Sequence, residues 1–265
     1  MTRSIRITLL LLAASALIAA PAVANGTQES AAPSDSPVRP GTLRPGMESF
    51  DDTPAVNITD VSVRHIREHD MLRFDMTVED NAGGVGPEPV GSLDGAPVLA
   101  YVFPTSMSPT SVGFSSVDGV LALAVTSHPD FDDTPLWDEN EDGDPGNDGR
   151  VYHTHWVVLV EDDRVGGGLS VRGIQDADAA TLPPTNPGMP MYFDSPGFSV
   201  VASERTISVL VPADRVRHET EFSYDAVTAF MRVNESDEDM PMLGVYRVYE
   251  VLSGDLSLPY SVEVK

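Results

Sequence analysis

The chain of 265 residues has no cysteine and a single lysine, Lys265. Without cysteine there is no disulfide, no thiol nucleophile and no thiolate metal site, so the fold must hold without disulfides. Basic residues are scarce as well: 16 Lys and Arg stand against 41 Asp and Glu, a formal charge of −25. A surface this negative repels nucleic acid and anionic membrane and attracts cations, which excludes nucleic acid as a partner. Beyond residue 24 no long apolar run occurs, so no membrane span is expected in the mature chain. Nucleotide-binding glycine patterns are missing too: Gly166-Gly167-Gly168 has no Lys-Ser/Thr after it and no helix to open. No serine, Ser127 before His128 included, lies in a G-x-S-x-G elbow, which disfavours a serine hydrolase.

What the chain does contain begins with a short basic head (Arg3, Arg6), an apolar run over 7–20 and the small-x-small triplet Ala22-Val23-Ala24. This pattern predicts a secretory signal peptide over 1–24 and a periplasmic or secreted protein starting at Asn25. Loss of the two arginines takes the formal charge from −25 to −27. The overall acidity reads as a solubility adaptation to high salt. Residues 25–54 are rich in Ser, Pro, Gly and Thr without apolar periodicity and read as a flexible leader. Residues 55–265 read as a single domain. Period-two or continuous apolar runs of strand length occur at 58–65, 71–78, 96–103, 120–126, 151–160, 169–174, 206–211, 226–233 and 244–251, with turn residues between them. No segment makes a convincing long amphipathic helix. The expected fold class is all-β, a β-sandwich or related barrel of short antiparallel strands with long loops.

Chemistry-bearing residues concentrate over 127–160, where an acidic glycine-punctuated loop runs into a strand with two histidines. Within the loop, Asp138, Asn140 and Asp142 place oxygens at alternate positions, and Gly143 follows where the backbone must turn sharply. Over about a dozen residues this stretch resembles the Ca²⁺ loops of EF-hand, dockerin and thrombospondin type 3 proteins. It departs from the EF-hand at the twelfth position, where Gly149 stands in place of a bidentate Glu, and in its strand and loop flanks. Asp144 or Asp148, or the upstream Asp130, Asp132 and Asp133, would supply the remaining ligands. The alternative is a solvated acidic loop in an acidic protein.

In a strand, His153 and His155 share a face with Val151, Val157 and Leu159, while Tyr152, Thr154, Trp156, Val158 and Val160 face the other way. Two imidazoles on one face, with His128 closing the set from the end of the preceding strand, suit Zn²⁺ or Cu²⁺ with an open position. The competing reading is a pair of polar aromatics hydrogen-bonded to nearby carboxylates. His153-Thr154-His155-Trp156 resembles the His-x-His-Trp zinc strand of the α-carbonic anhydrases. That family takes its third ligand from a later strand, whereas here the only later histidine is His218, in a polar turn. Met189 with Met191 and Met240 with Met242 offer thioethers but read as loop or gap-filling residues. Asp194 and Asp225 are carboxylates of the kind glycoside chemistry uses, a weak signal in so acidic a chain. His65, His69 and His218 lie beside charged residues and read as solvated. Asn57 and Asn234 head formal glycosylation sequons.

Two functional readings follow. One is an exported, calcium-stabilised β-sandwich binding protein whose histidine face is a metal or ligand pocket for a small molecule or an envelope ligand. The other is a metalloenzyme with Zn²⁺ or Cu²⁺ on His128, His153 and His155, and Asp130 or Asp133 as base toward a metal-bound water. A structural envelope protein without metal is the third alternative.

Overall fold

The structure is a computed structural model and describes residues 50–130, 138–139, 141–144, 148–176 and 179–265. Fourteen strands are present among them, and the helical segments are short 3-10 turns. The strands are β1 (Ile58–Ile66), β2 (Met71–Val78), β3 (Pro97–Pro104), β4 (Val120–Ser127), β5 (His153–Glu161), β6 (Leu169–Val171) and β7 (Phe193–Asp194). The chain continues through β8 (Ser199–Ser203), β9 (Thr206–Pro212), β10 (Ser223–Tyr224), β11 (Val227–Val233), β12 (Leu243–Val251), β13 (Tyr260–Ser261) and β14 (Glu263–Val264). The all-β class expected from the sequence is the class observed. No helix of the described residues is long and apolar enough to cross a membrane.

Six strands close on themselves. The order β4-β3-β11-β12-β6-β5 is antiparallel throughout, and β5 pairs back to β4 to complete the ring, while β7 adds to β5 as a side branch. A ring this small leaves less interior than an eight-stranded barrel, whose lumen is just filled by side chains. The sequence meets that limit with alanine. Ala96, Val98, Ala100 and Val102 of the β3 segment, Ala122 and Ala124 of β4, and Val227, Ala229, Met231 and Val233 of β11 line one interior cluster. Register shifts in the β11/β12 ladder at Thr228/Ala229 and Phe230/Met231 are bulges of the kind that let a sheet bend round. At the start of β4, Gly119 (φ +132°) passes so close to β5 that a Cβ there would lie 2.7 Å from the Leu159 carbonyl oxygen.

The larger side chains of the same strands face outward, and a second sheet covers them. Tyr101 and Phe103, Leu121, Leu123 and Val125, and Trp156 and Val158 pack against Val61 and Val63, Leu72, Phe74 and Met76, and Ile207, Val209 and Val211 of a five-stranded sheet ordered β14-β1-β2-β9-β8. Burial on both faces is why the runs 96–103 and 120–126 are continuously apolar. The outer sheet alternates instead. Its far side carries Arg64, Arg73, Asp75 and Ser208, with Asp75 held by both arginines and by the Ser208 hydroxyl. Phe50, within the stretch expected as leader, is buried against Phe230 and Tyr249. Several strands escaped the sequence reading: β7, β10, β13 and β14 have two residues each, and β8 is mostly exposed, so none shows an apolar pattern.

The β5–β6 turn is locked by one carboxylate. Asp162, nearly buried, takes a two-point contact from Arg164 (Nε to Oδ1 2.8 Å, guanidinium nitrogen to Oδ2 2.7 Å) and a 2.8 Å hydrogen bond from Ser170 Oγ. The Arg164 contact, with the Ser170 hydroxyl adding to it, holds the acid down to about 2 from an ordinary 3.8. A depressed folded-state value stabilises the fold above the ordinary value, and the contribution is lost as pH falls toward 2. Asp162→Asn is therefore expected to lower stability by about 1 kcal/mol at neutral pH. Its thermal-unfolding midpoint should converge on that of the unmodified protein between pH 4 and pH 2. A constant gap across that range would show that the carboxylate's charge is not what matters.

Candidate metal centre

Strand alternation sets the site. On β4 the inward series Ala122, Ala124, Thr126 continues to His128, one residue beyond the strand end, and on β5 the inward series runs His153, His155, Val157, Leu159. The two strands pair antiparallel with Thr126 opposite His153 and Ala124 opposite His155. Inward positions at one end of the ring therefore hold three histidines from two adjacent strands. All three are buried, with 1%, 8% and 0% of the surface of His128, His153 and His155 exposed.

Their ligand atoms converge. His128 Nε2 lies 2.6 Å from His153 Nε2 and 3.3 Å from His155 Nε2, and the three ligand nitrogens are mutually within 4.8 Å. Two nitrogens bound to one tetrahedral Zn²⁺ at about 2.0–2.1 Å lie roughly 3.3 Å apart, so the donor set fits a single ion. The outer nitrogens of His153 and His155 are engaged in the manner of metal-bound imidazoles. His153 Nδ1 donates to the Val151 carbonyl oxygen at 2.8 Å, and His155 Nδ1 is 3.1 Å from Ser195 Oγ. Because a carbonyl only accepts, Nδ1 of His153 carries a hydrogen, which leaves its Nε2 to face His128. Two lone pairs 2.6 Å apart repel, so a proton or a cation must sit between these rings. The His155 ring is also stacked on Phe193, centroids 4.4 Å apart and planes 28° apart, which fixes its orientation.

Inward of the histidines the ring encloses a cavity of about 30 Å³. His128 and His155 form part of its wall, and the rest is aliphatic apart from Phe193, Met231 and Thr126. Thr126 is buried, and its hydroxyl has no hydrogen-bond partner among the described residues. No carboxylate lines the cavity. Asp130, considered as a base from sequence, turns its Oδ1 to the Gly91 amide at 2.6 Å, and Asp133 lies outside the described residues. The nearest acid along the chain to the Ser195 contact is Asp194, buried and hydrogen-bonded by Thr185 Oγ1 at 2.7 Å. Burial raises its carboxyl above the ordinary range, against the lowering effect of the Thr185 hydroxyl.

The acidic loop is pinned at its base by His128 N donating to Gly149 O (2.6 Å) and Ser127 Oγ to Arg150 O (2.9 Å). Asn140, Asp132 and Asp133 lie outside the described residues. Of the other loop acids, Asp138 Oδ1 accepts from Gly143 N at 3.4 Å and Asp142 Oδ1 from Asp144 N at 2.8 Å. Glu139 caps the loop by accepting from Gly149 N and Val151 N. Asp148 is buried; its Oδ1 accepts from Glu139 N at 3.0 Å, while its Oδ2 has no partner among the described residues. Among those residues the histidine trio is the group of three or more ligating side chains close enough to share an ion.

The remaining candidates are accounted for elsewhere. Asp225 is fully buried and satisfied by Ser253 and the Ala226 amide, and Met191 fills the ring interior. His218 sits in a turn at positive φ with Nδ1 3.3 Å from Asp70, so the third imidazole comes from His128, earlier in the chain, and not from a later strand as in the α-carbonic anhydrases. Asn234 is buried and donates to Pro241 O. Ser195 and Phe193 carried no sequence signal, since β7 has two residues. Thr126 had one, as the member of the alternating β4 series before His128. In comparisons with known proteins, the chain matches no protein-family model, no curated protein and no solved structure.

Proposed function

We propose that this is an exported metal-binding β-barrel protein in which His128, His153 and His155 hold one transition-metal ion, Zn²⁺ or Cu²⁺. The observation that carries this reading is the convergence of three buried imidazoles, with Nδ1 of His153 and of His155 held by the Val151 carbonyl and the Ser195 hydroxyl. A three-histidine set leaves a fourth position free, the arrangement of ions that take a further ligand. A wall without carboxylates favours holding a ligand over general-base hydrolysis. Export is supported by the basic head, apolar run and small-x-small triplet at the N-terminus.

Purified protein analysed by elemental mass spectrometry is expected to carry about one equivalent of Zn or Cu, lost in His153→Ala and in His155→Ala. Ser195→Ala, which removes the hydroxyl beside Nδ1 of His155, should weaken the metal roughly 10-fold and leave the stoichiometry at saturation unchanged. Protein that folds but retains neither metal, and gains no thermal stability from either, would overturn the proposal. Expression with the native leader in a Gram-negative host should yield a periplasmic chain whose N-terminus is Asn25; an uncleaved cytosolic chain would remove the export reading.

A calcium ion in the acidic loop is favoured by Asp148, because a buried carboxylate oxygen without a partner among the described residues costs stability unless a cation faces it. Calcium at a hundredfold excess over Kd should stabilise the fold by about 2.7 kcal/mol. That corresponds to a rise in melting temperature of roughly 5–10 °C, abolished in Asp148→Asn and in Asp142→Ala. No rise with Ca²⁺ would leave the loop as a solvated acidic connection.

A further inference from the structure

Resting on the histidine centre and the calcium reading of the acidic loop above, we propose that the two sites are coupled. A Ca²⁺ ion at Asp148 raises the affinity of the three histidines for their metal, with Glu139 as the positioning residue that carries the effect. Asp148 is 2% exposed and turns Oδ1 to the Glu139 amide at 3.0 Å, while its Oδ2 has no partner among the described residues. Glu139 Oε2 in turn accepts from Gly149 N at 2.9 Å and from Val151 N at 3.2 Å. The carbonyl oxygens of those same two residues hold the histidines: Gly149 O accepts from His128 N at 2.6 Å and Val151 O from His153 Nδ1 at 2.8 Å. One short run of chain, 148–151, therefore joins a buried carboxylate to two of the three metal-binding residues, and Glu139 is the junction.

The burial of Asp148 supplies the two states that coupling requires. A carboxylate oxygen buried without a partner is costly, which favours conformations in which Asp148 turns out to water. That movement breaks the contact of Oδ1 with Glu139 and loosens the carboxylate that holds residues 149 and 151. A cation facing Oδ2 removes the cost and selects the inward state, in which the Val151 carbonyl fixes the tautomer and orientation of His153. Metal on the histidines selects the same state from the other side. Two ligands that favour one state of a shared element strengthen each other, and by the same factor in both directions. Direct repulsion between two dications acts the opposite way and is damped by salt, so the sign of the effect separates a route through the chain from a field between the ions. The donors differ, carboxylate oxygen in the loop and imidazole nitrogen in the barrel, which lets calcium and a transition metal load separately.

Cobalt(II) serves as the test metal because its visible bands report its coordination. Purified protein stripped of metal is titrated with Co²⁺ in NaCl or CaCl₂ of equal ionic strength, and the bound ions are counted by elemental analysis. Calcium is expected to tighten cobalt roughly 10-fold, and saturating cobalt to tighten calcium by the same factor in calorimetry. Asp148→Asn should bind cobalt and lose the response to calcium. Glu139→Ala should keep both ions and lose the coupling, while Glu139→Gln, whose amide oxygen still accepts from both N–H groups, should retain most of it. Where Glu139→Ala does not fold or loses calcium, Glu139→Asp, one methylene short of the two N–H groups, takes its place. Cobalt binding that is indifferent to calcium, or weakened by it, in protein holding both ions would overturn the proposal and leave each site standing. Coupling undiminished by the Glu139 substitution would overturn it equally. Absence of calcium binding would remove the loop site and the coupling together, and absence of cobalt binding would remove the histidine centre; the elemental analysis separates these cases.

Discussion

The antiparallel ladder between β4 and β5 is the contact on which the molecule turns. It closes six strands into a ring, and it is the same ladder that sets Thr126 opposite His153 and carries His128 to the rings beyond it. A slip of one residue in this register would turn His153 and His155 to the outer sheet and drive Trp156 and Val158 into a lumen sized for alanine. The apolar content on both sides of β4 and β5 therefore fixes the position of the imidazoles before any ion is considered. Burial of Trp156 and Phe103 on the outside and of Ala122 and Ala124 on the inside is what the register maximises.

Much of this was legible in the chain itself. Period-two alternation placed His153 and His155 on one face with Val157 and Leu159, and that is the face that lines the ring. His128 was recognisable as the third imidazole because it follows a strand-length apolar run at the near end of a loop leading straight back to His153. Ring closure was not legible, because nothing in a strand's composition names its partner; a sandwich and a barrel share the same alternation. Ser195 and Phe193 were invisible for a different reason. They reach the site through a two-residue strand about 40 positions downstream, held by Trp156 and Val157, and a two-residue strand has no period to detect. The resemblance to the α-carbonic anhydrase strand covers two of the three clustered histidines, and the third lies earlier in the chain instead of on a later strand.

The acidity of the chain is distributed unevenly in its consequences. Most of the carboxylates face water or serve local tasks, as Asp162 does in locking the β5–β6 turn and Glu139 does in capping the acidic loop. None reaches the wall of the cavity, whose surface is apolar despite a formal charge of −25. A dication at the histidines would be the only full charge in that wall, and the surrounding negative potential would hold it there.

His128 and His153 are 25 residues apart in sequence and their Nε2 atoms touch. With an ion bound to both, the connection between β4 and β5 becomes a closed covalent-coordinate loop of that length, which on a chain-entropy estimate takes about 3.5 kcal/mol of freedom from the unfolded chain. A polypeptide without cysteine would then possess the equivalent of one disulfide, made from nitrogen and metal, at the seam where its barrel closes.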